Sequence, residues 1–285
     1  MVLTRSPRHS PDERSREVFW DAQTVGAWQS EVAGADVVIN LTGRTVNCRY
    51  NARNRREILE SRIRSTTTLG EAIARCPNPP KVWLNASTAT IYRHTFGPAW
   101  NESGVIAGTA AVNDEFSVEV AQAWEKALDE APTSHTRKVA LRTAMVLGHG
   151  GNSVFPTLRR LVRGGMGGRM GDGRQFVSWI HQLDFCRAIE FVIAHEDLAG
   201  AINLCAPAPL TNDEMMTAFR RLCGIPVGLP AMRWMLEIGA FILRTETELI
   251  LKSRRVIPGC LLKSGFQFQF PQFENALRDL LATQP

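Results

Sequence analysis

The chain has 285 residues, of which 44% are hydrophobic and 21% are charged, a composition that excludes a disordered or collagen-like protein. This length suffices for one large domain or for a domain with an appended lobe. The formal net charge is +5, but only five of the 33 basic residues are lysines, and the arginines are scattered without a basic run. This dispersion argues against a nucleic-acid groove, and arginine equally suits phosphate or carboxylate recognition.

Targeting, membrane and metal signals are missing from the sequence. Its longest apolar stretch, residues 234–243, is interrupted by Glu237 and is shorter than the roughly 18 to 20 residues of a membrane span. Residues 1–20 lack the apolar core of a secretory signal, so we expect a cytoplasmic protein. The six cysteines form no C-x-x-C motif and no Cys/His cluster, which predicts reduced core or near-core thiols and no metal site.

Strands and helices alternate along the first half of the chain. Short apolar runs predict buried parallel strands, and apolar residues at helical spacing predict the helices between them. In chain order we expect the end of a strand within residues 1–7, a strand at 35–43, a helix at 54–76, a strand at 81–88, a helix at 115–130 and a strand from 138 towards 146. This order predicts βαβ crossovers and an α/β fold with a doubly wound parallel sheet.

The pattern changes after residue 148. The sequence then predicts a helix at 153–163, a glycine-rich loop at 164–173, an extended run at 176–181, a helix at 183–195 and a strand at 201–204. A T-x-x-E capping box at Thr211 and Glu214 opens the next helix. Short helices after residue 230 predict a small, mostly helical C-terminal lobe. We therefore expect a sheet domain over residues 1–205 and a C-terminal domain over 206–285.

Ligands of an open α/β sheet bind beyond the carboxyl ends of the strands, which directs attention to the residues directly after each predicted strand. Arg5 is one of them. An arginine after the second strand of a dinucleotide-binding sheet can contact the 2′-phosphate of NADP, where NAD usually requires an acidic residue. A solvated arginine near a chain terminus is an equally consistent interpretation.

Seven segments carry a family resemblance: residues 3–7, 36–43, 61–66, 141–148, 171–181, 206–212 and 265–271. Together they resemble the epimerase-family group of atypical extended short-chain dehydrogenase/reductases, over nearly the whole chain from Leu3 to about Leu281. The resemblance implies a Rossmann domain with a small C-terminal domain of its own, NADP as cofactor, and a reaction that is generally unassigned in the group.

The resemblance also implies a set of cofactor contacts. From the adenosine 2′-phosphate towards the nicotinamide, the residues are Thr4, Arg5, Leu41, Thr42, Glu57, Arg62 and Val146. A solvated helix face is the alternative for Glu57 and Arg62, which would gain little from a surface ion pair.

The family carries G-x-x-G-x-x-G in a first strand, turn and helix, whose amides hold the cofactor diphosphate. No such segment precedes Met1. We expect either a start site placed too late or a true truncation, and favour the former because Val2 and Leu3 resemble the remnant of a strand. Weak cofactor affinity is expected for a chain without this segment.

Short-chain dehydrogenases also use a Tyr-x-x-x-Lys pair, in which lysine lowers the phenol pKa. The two tyrosines, Tyr50 and Tyr92, lack a lysine at the required spacing, and Phe116 and Val120 stand near the two expected positions. The absence of the pair speaks against ordinary dehydrogenase chemistry.

Ser87, with Thr88, ends a predicted strand where the family keeps a substrate-binding hydroxyl, and Tyr92 follows in the same loop. Ser87 and Tyr92 are therefore the candidate catalytic residues. The alternative is a strand-end hydrogen bond for Ser87 and packing for Tyr92.

Three functions remain open. The first is an NADP-dependent oxidoreductase or nucleotide-sugar-epimerase-like enzyme acting on a small molecule, for which the arginine surplus allows an anionic substrate. The second is a non-catalytic dinucleotide-binding regulatory or partner-binding protein, which the missing Tyr-x-x-x-Lys pair favours. Nucleic-acid binding is the third and is disfavoured by the dispersed arginines, and no membrane partner is expected.

Overall fold

The computed structural model describes residues 1–7, 15–150, 153–232, 234–235, 237 and 246–283. The strands are β1 (Val2–Thr4), β2 (Glu17–Phe19), β3 (Val37–Asn40), β4 (Val82–Thr88), β5 (Arg137–Thr143), β6 (Met145–Leu147), β7 (Phe176–Val177), β8 (Trp179–His181), β9 (Gly200–Leu204) and β10 (Leu210–Thr211). The helices are α1 (Ala52–Ala74), α2 (Glu115–Asp129), α3 (Val154–Arg163), α4 (Gln182–Ala194), α5 (Asn212–Cys223), α6 (Glu248–Leu251), α7 (Gly259–Lys263) and α8 (Phe273–Ala282).

The central sheet has the order β3-β4-β5-β9, and each neighbouring pair is parallel. Side chains alternate across it, as the period of two in a strand requires. Trp83 faces the layer of α1 and packs with Leu69, whereas Leu84 faces α4 and packs with Val192. Helices thus cover both faces of a parallel sheet, and the expected doubly wound α/β fold is confirmed.

β1 and β2 form a separate parallel pair. A cavity of about 460 Å³ lies between β1 and β3, with Val2, Leu3 and Val38 in its wall. Among the described residues, β3 pairs only with β4, so its second edge faces this cavity. Ile39 and Leu41 beside that edge are 43% and 61% exposed, an unusual exposure for apolar side chains of a parallel sheet, whose strands are normally buried on both faces.

The strand predicted from residue 138 towards 146 is in fact two strands. β5 stays in the central sheet, whereas β6 leaves it and pairs in parallel with β8. The backbone N–H of Ala144, between them, donates to the carbonyl of Leu204 at 3.0 Å. The break occurs because the chain changes pairing partner there, which local hydrophobicity does not reveal.

The predicted capping box at the start of α5 is confirmed, since Thr211 and Glu214 exchange both hydrogen bonds. Helices α3, α5 and α8 pack around Phe155, Phe219 and Phe273 in a second core. The six cysteines are free thiols; Cys205 is buried as expected, but Cys186 is exposed. Within the described ranges, no helix combines the length and hydropathy needed to cross a membrane.

Candidate functional site

A cavity of about 250 Å³ opens where β4 ends beside α1 and α2. Five hydroxyl groups contribute to its wall, from Tyr50, Ser87, Thr88, Thr90 and Ser117, and we call it the hydroxyl cavity. Its other lining residues are Val46, Ile58, Arg62, Phe116, Val120, Trp124 and Leu249. The position at the carboxyl end of a parallel strand is where α/β sheets bind ligands.

Ser87 is held in this wall by a buried ion pair. Its Oγ donates to Glu125 Oε1 at 2.6 Å. Glu125 in turn accepts from Arg142 at both oxygens, with distances of 2.8 and 2.7 Å. Such two-point contacts fix geometry as well as charge. The structure therefore brings Ser87 to the cavity in one defined orientation.

Arg62 places a cation in the same wall. Its Nη1 donates to the carbonyls of Arg44 and Ile58 at 3.1 and 3.0 Å, and its guanidinium lies 5.0 Å from the ring centre of Trp124. Burial lowers the pKa of Arg62. No carboxylate of the described residues forms an ion pair with it, so this side chain offers a charge to an anionic ligand.

Tyr92 lies elsewhere, in a buried polar cluster, and is not among the residues that line the hydroxyl cavity. Its OH donates to Asn203 Oδ1 and accepts from Arg142 Nη1, both at 2.8 Å. Burial raises its pKa to about 12, although the hydrogen bond from Arg142 opposes the shift. At 1% exposure, Tyr92 ties β5 and β9 together, an arrangement that suits a structural role better than proton transfer.

A second cavity, of about 510 Å³, lies beyond β1 and β3. Arg5, Arg44 and Arg64 converge on it, and we call it the arginine cavity. Arg5 follows β1, Arg44 follows β3, and Arg64 comes from α1. The described residues supply no hydrogen bond or ion pair to the Arg5 side chain, whereas Arg64 contacts Glu60 and Gln23, each at 3.0 Å.

Thr42 and Glu57 also line the arginine cavity. The Thr42 N–H donates to Asn40 Oδ1 at 3.0 Å. The Glu57 carboxylate pairs with Arg44 and with Arg53, and it forms no ion pair with Arg62 among the described residues. Thr4 ends β1 nearby and its carbonyl accepts from the Trp20 N–H at 2.9 Å.

Besides Thr4, two further expected cofactor residues do not line either cavity. Leu41 faces the space between β1 and β3. Val146 lines a shallow cavity of about 640 Å³ with Gly148, Ser153 and Gln182. The structure thus groups Arg5, Thr42 and Glu57 in one cavity and Arg62 and Ser87 in another.

The glycine-rich loop matches G-x-x-G-x-x-G by spacing at Gly165, Gly168 and Gly171, but not by structure. It follows α3 instead of a strand, and the amides of these three glycines are already used. Their N–H groups donate to the carbonyls of Val162, Leu229 and Ala231 at 3.0, 3.1 and 2.8 Å. These three amides are therefore not free to hold a phosphate.

These observations test the fit of a dinucleotide to the chain. The two charged or polar ends of the dinucleotide fit the arginines of the arginine cavity and Arg62 at the hydroxyl cavity. Of the arginines at the first cavity, Arg5 alone lacks a partner among the described residues, since Arg44 and Arg64 already contact carboxylates. In the described ranges, no glycine-rich turn between a strand and a helix fits the diphosphate in the middle. Nor do the described residues contain a cluster of three or more His, Cys, Asp or Glu side chains that could hold a metal.

A doubly wound parallel sheet with ligand cavities at its carboxyl edge defines the Rossmann class of proteins. Residues 2–205 match the NAD dependent epimerase/dehydratase family, and the chain belongs to that family. Residues 233–280 match a domain of unknown function, in the region where the sequence predicts a separate C-terminal domain.

Similar proteins match almost the whole chain. An epimerase family protein of Mycobacterium leprae is 32% identical over 97% of this chain and 86% of its own length. The epimerase family protein SDR39U1 of Bos taurus is 29% identical over 99% of this chain and 90% of its own. The crystal structure of human SDR39U1 (isoform 2) with NADPH aligns with a TM-score of 0.84 at 25% identity, covering 99% of this chain and 90% of that one.

Proposed function

We propose that the chain binds NADP(H) across the carboxyl edge of its sheet and acts as an oxidoreductase or epimerase-like enzyme on a small anionic molecule. The convergence of Arg5, Arg44 and Arg64 on one cavity carries the proposal, because a 2′-phosphate is the part of NADP that NAD lacks. The human structure that aligns with this chain contains NADPH, which supports the same choice of cofactor.

The two cavities divide the ligand between them. The arginine cavity would take the adenosine 2′-phosphate, with Thr4 and Thr42 beside it. The hydroxyl cavity would take the reacting end and the substrate, with Arg62 attracting the negative charge of the substrate. When bound, the nicotinamide ring supplies hydride transfer.

The residues of the chain then bind and orient the substrate. Ser87 offers a hydroxyl whose direction Glu125 fixes, and Thr88 lies beside it. Phe116 and Val120, near the positions expected for the Tyr-x-x-x-Lys pair, line the same cavity and exclude water from it. A proton required by the reaction must come from another group in this wall.

The second candidate function is a non-catalytic dinucleotide-binding regulator. The apolar side chains of Phe116 and Val120 favour it, because they remove the usual acid/base pair from the site. The Ser87 hydroxyl would then bind no substrate, and NADP(H) would act as a signal that changes the affinity of the chain for a partner.

Calorimetric titration with NADPH and NADH tests the proposal. We expect NADPH to bind at least about tenfold more tightly, a difference of 1.4 kcal/mol. Equal affinities, or no binding of either, would overturn the NADP assignment. Nicotinamide absorbance followed during a screen of small anionic alcohols and ketones separates the two candidates: turnover supports the enzyme, and NADPH binding without any turnover supports the regulator.

A further inference from the structure

A buried glutamate lies directly behind the hydroxyl cavity. Glu248 is the first residue of α6 and is 4% exposed. Its Oε1 accepts a short hydrogen bond from Ser117 Oγ and a longer one, at 3.4 Å, from the Tyr50 hydroxyl. Both donors line the cavity, so two hydroxyl groups connect Glu248 with any ligand bound there.

The second oxygen of this carboxyl group is unused. Glu248 Oε2 is buried and has no hydrogen-bond partner among the described residues. A buried charged carboxylate with an unsatisfied oxygen is costly. The cost falls when the group binds a proton, so the geometry itself favours the neutral acid.

The neighbouring cations do not remove this cost. Lys252 Nζ lies 2.5 Å from Asp114 Oδ2, and both side chains are fully buried, so its charge is already paired. Arg254 directs its Nε to Thr90 Oγ1 and its Nη2 to the backbone carbonyl of Glu248, not to the carboxylate.

The remaining acidic groups are nearby. Asp114 caps the start of α2 and its charge acts on Glu248, and Glu246 accepts from the Tyr50 N–H at 2.7 Å. Burial is the main cause that raises the pKa of Glu248, with Ser117, Arg254 and Lys252 opposing it and Asp114 adding to it. Burial and the charge of Glu248 also raise the pKa of Tyr50.

We propose that Glu248 is the proton store of the hydroxyl cavity and exchanges protons with a bound ligand through Ser117. In one direction, a ligand hydroxyl passes its proton to Ser117 Oγ while Ser117 passes its own to Glu248 Oε1. The ligand oxygen becomes an alkoxide and the carboxylate becomes a carboxylic acid, so atoms and charge balance. The reverse direction protonates the ligand oxygen. Tyr50 keeps the carboxyl group oriented.

This inference rests on the proposed function for the identity of the ligand, but not for the proton itself. Glu248 acts through Ser117 and is therefore a positioning residue, whereas Ser117 would contact the ligand. The acid lies within the C-terminal region matched at residues 233–280, whereas every residue that lines the cavity except Leu249 belongs to the sheet domain. The C-terminal region would thus complete a site that lacks the Tyr-x-x-x-Lys pair.

Infrared spectroscopy of the full chain, without added dinucleotide, tests the proton store. We expect the carbonyl band of a protonated carboxyl group to persist at pH values where ordinary carboxylates have lost their protons, and to disappear in Glu248→Gln. The matched control is Glu246→Gln, which removes a neighbouring carboxylate and should leave the band unchanged. Circular dichroism establishes that each variant is folded.

Ser117→Ala supplies a second variant that does not change the acid. It removes a hydrogen bond that favours the charged form, so the midpoint of the band should move to higher pH. A band that is missing from the wild-type chain, or one that survives in Glu248→Gln, overturns the proposal. NADPH titration of the same samples distinguishes the proton store from the proposed function. A wild-type chain that shows the band but does not bind NADPH refutes the proposed function alone.

Discussion

The Ser87 hydroxyl and the Glu125 carboxylate meet at 2.6 Å although 38 positions separate them in the chain. Glu125 also neutralises Arg142, and their side chains are only 13% and 6% exposed. One carboxylate therefore orients the candidate substrate-binding hydroxyl and compensates a buried cation.

Replacing the Glu125 carboxylate should lower the stability of the folded chain. Glu125→Ala leaves Arg142 buried without its partner, and we expect a loss of about 3–5 kcal/mol in the free energy of unfolding. Urea denaturation measures it. The control is Glu119→Ala on the exposed side of α2, for which we expect a change within about 0.5 kcal/mol. Equal effects of the two substitutions would show that the buried pair does not stabilise the fold.

Replacing Arg62 should weaken the binding of NADPH or of an anionic substrate. Arg62→Gln removes a cation that has no ion pair among the described residues, and loss of one hydrogen bond to a charged group, about 1.5–3 kcal/mol, should weaken NADPH or anionic substrate binding by roughly ten- to hundredfold. Calorimetry measures the change. Arg53→Gln, on an exposed part of the same helix, is the control and should bind as the wild type does. Wild-type affinity in Arg62→Gln would remove this residue from the site.

The pH dependence of stability should report Glu248. Its pKa in the folded chain lies above the ordinary value of 4.5, so the folded state holds the proton more tightly than the unfolded state. The resulting stabilisation is complete below pH 4.5 and is lost as the pH rises through the raised pKa. Glu248→Gln should lack this loss. Urea midpoints from about pH 4 to 8 that fall in parallel for both proteins would contradict the expectation.

The cavity between β1 and β3 should accept an added strand. We expect an apolar strand, glycine-rich turn and helix of about 30 residues, fused ahead of Met1, to pair with the open edge of β3 and cover Ile39. Free amides at the new helix N-terminus would hold a diphosphate. Thermal unfolding and NADPH titration should show a higher Tm and a higher affinity. A fusion with the glycines replaced by alanines should gain stability without affinity.

The sequence predicted the sheet because strand and helix periodicity are local properties. It pointed to Ser87 and Arg5 as candidates because Ser87 lies at the end of a strand and Arg5 directly follows one. Tyr92 also lies just after a strand, but its hydroxyl forms hydrogen bonds with Asn203 and Arg142, which come from strands far along the chain. Glu248 had no local signal. Its contacts with Ser117 and Tyr50 span 131 and 198 positions, and only the tertiary fold brings them together.

The proposed function depends on recognition of a 2′-phosphate by the arginine cavity. Calorimetric titration with 2′,5′-ADP and 5′-AMP tests it most directly, because these ligands need neither the diphosphate site nor the nicotinamide site. We expect 2′,5′-ADP to bind at least about tenfold more tightly and Arg5→Gln to reduce that preference, while Arg53→Gln leaves it unchanged. Equal binding of the two nucleotides, or an unchanged preference in Arg5→Gln, would contradict this assignment.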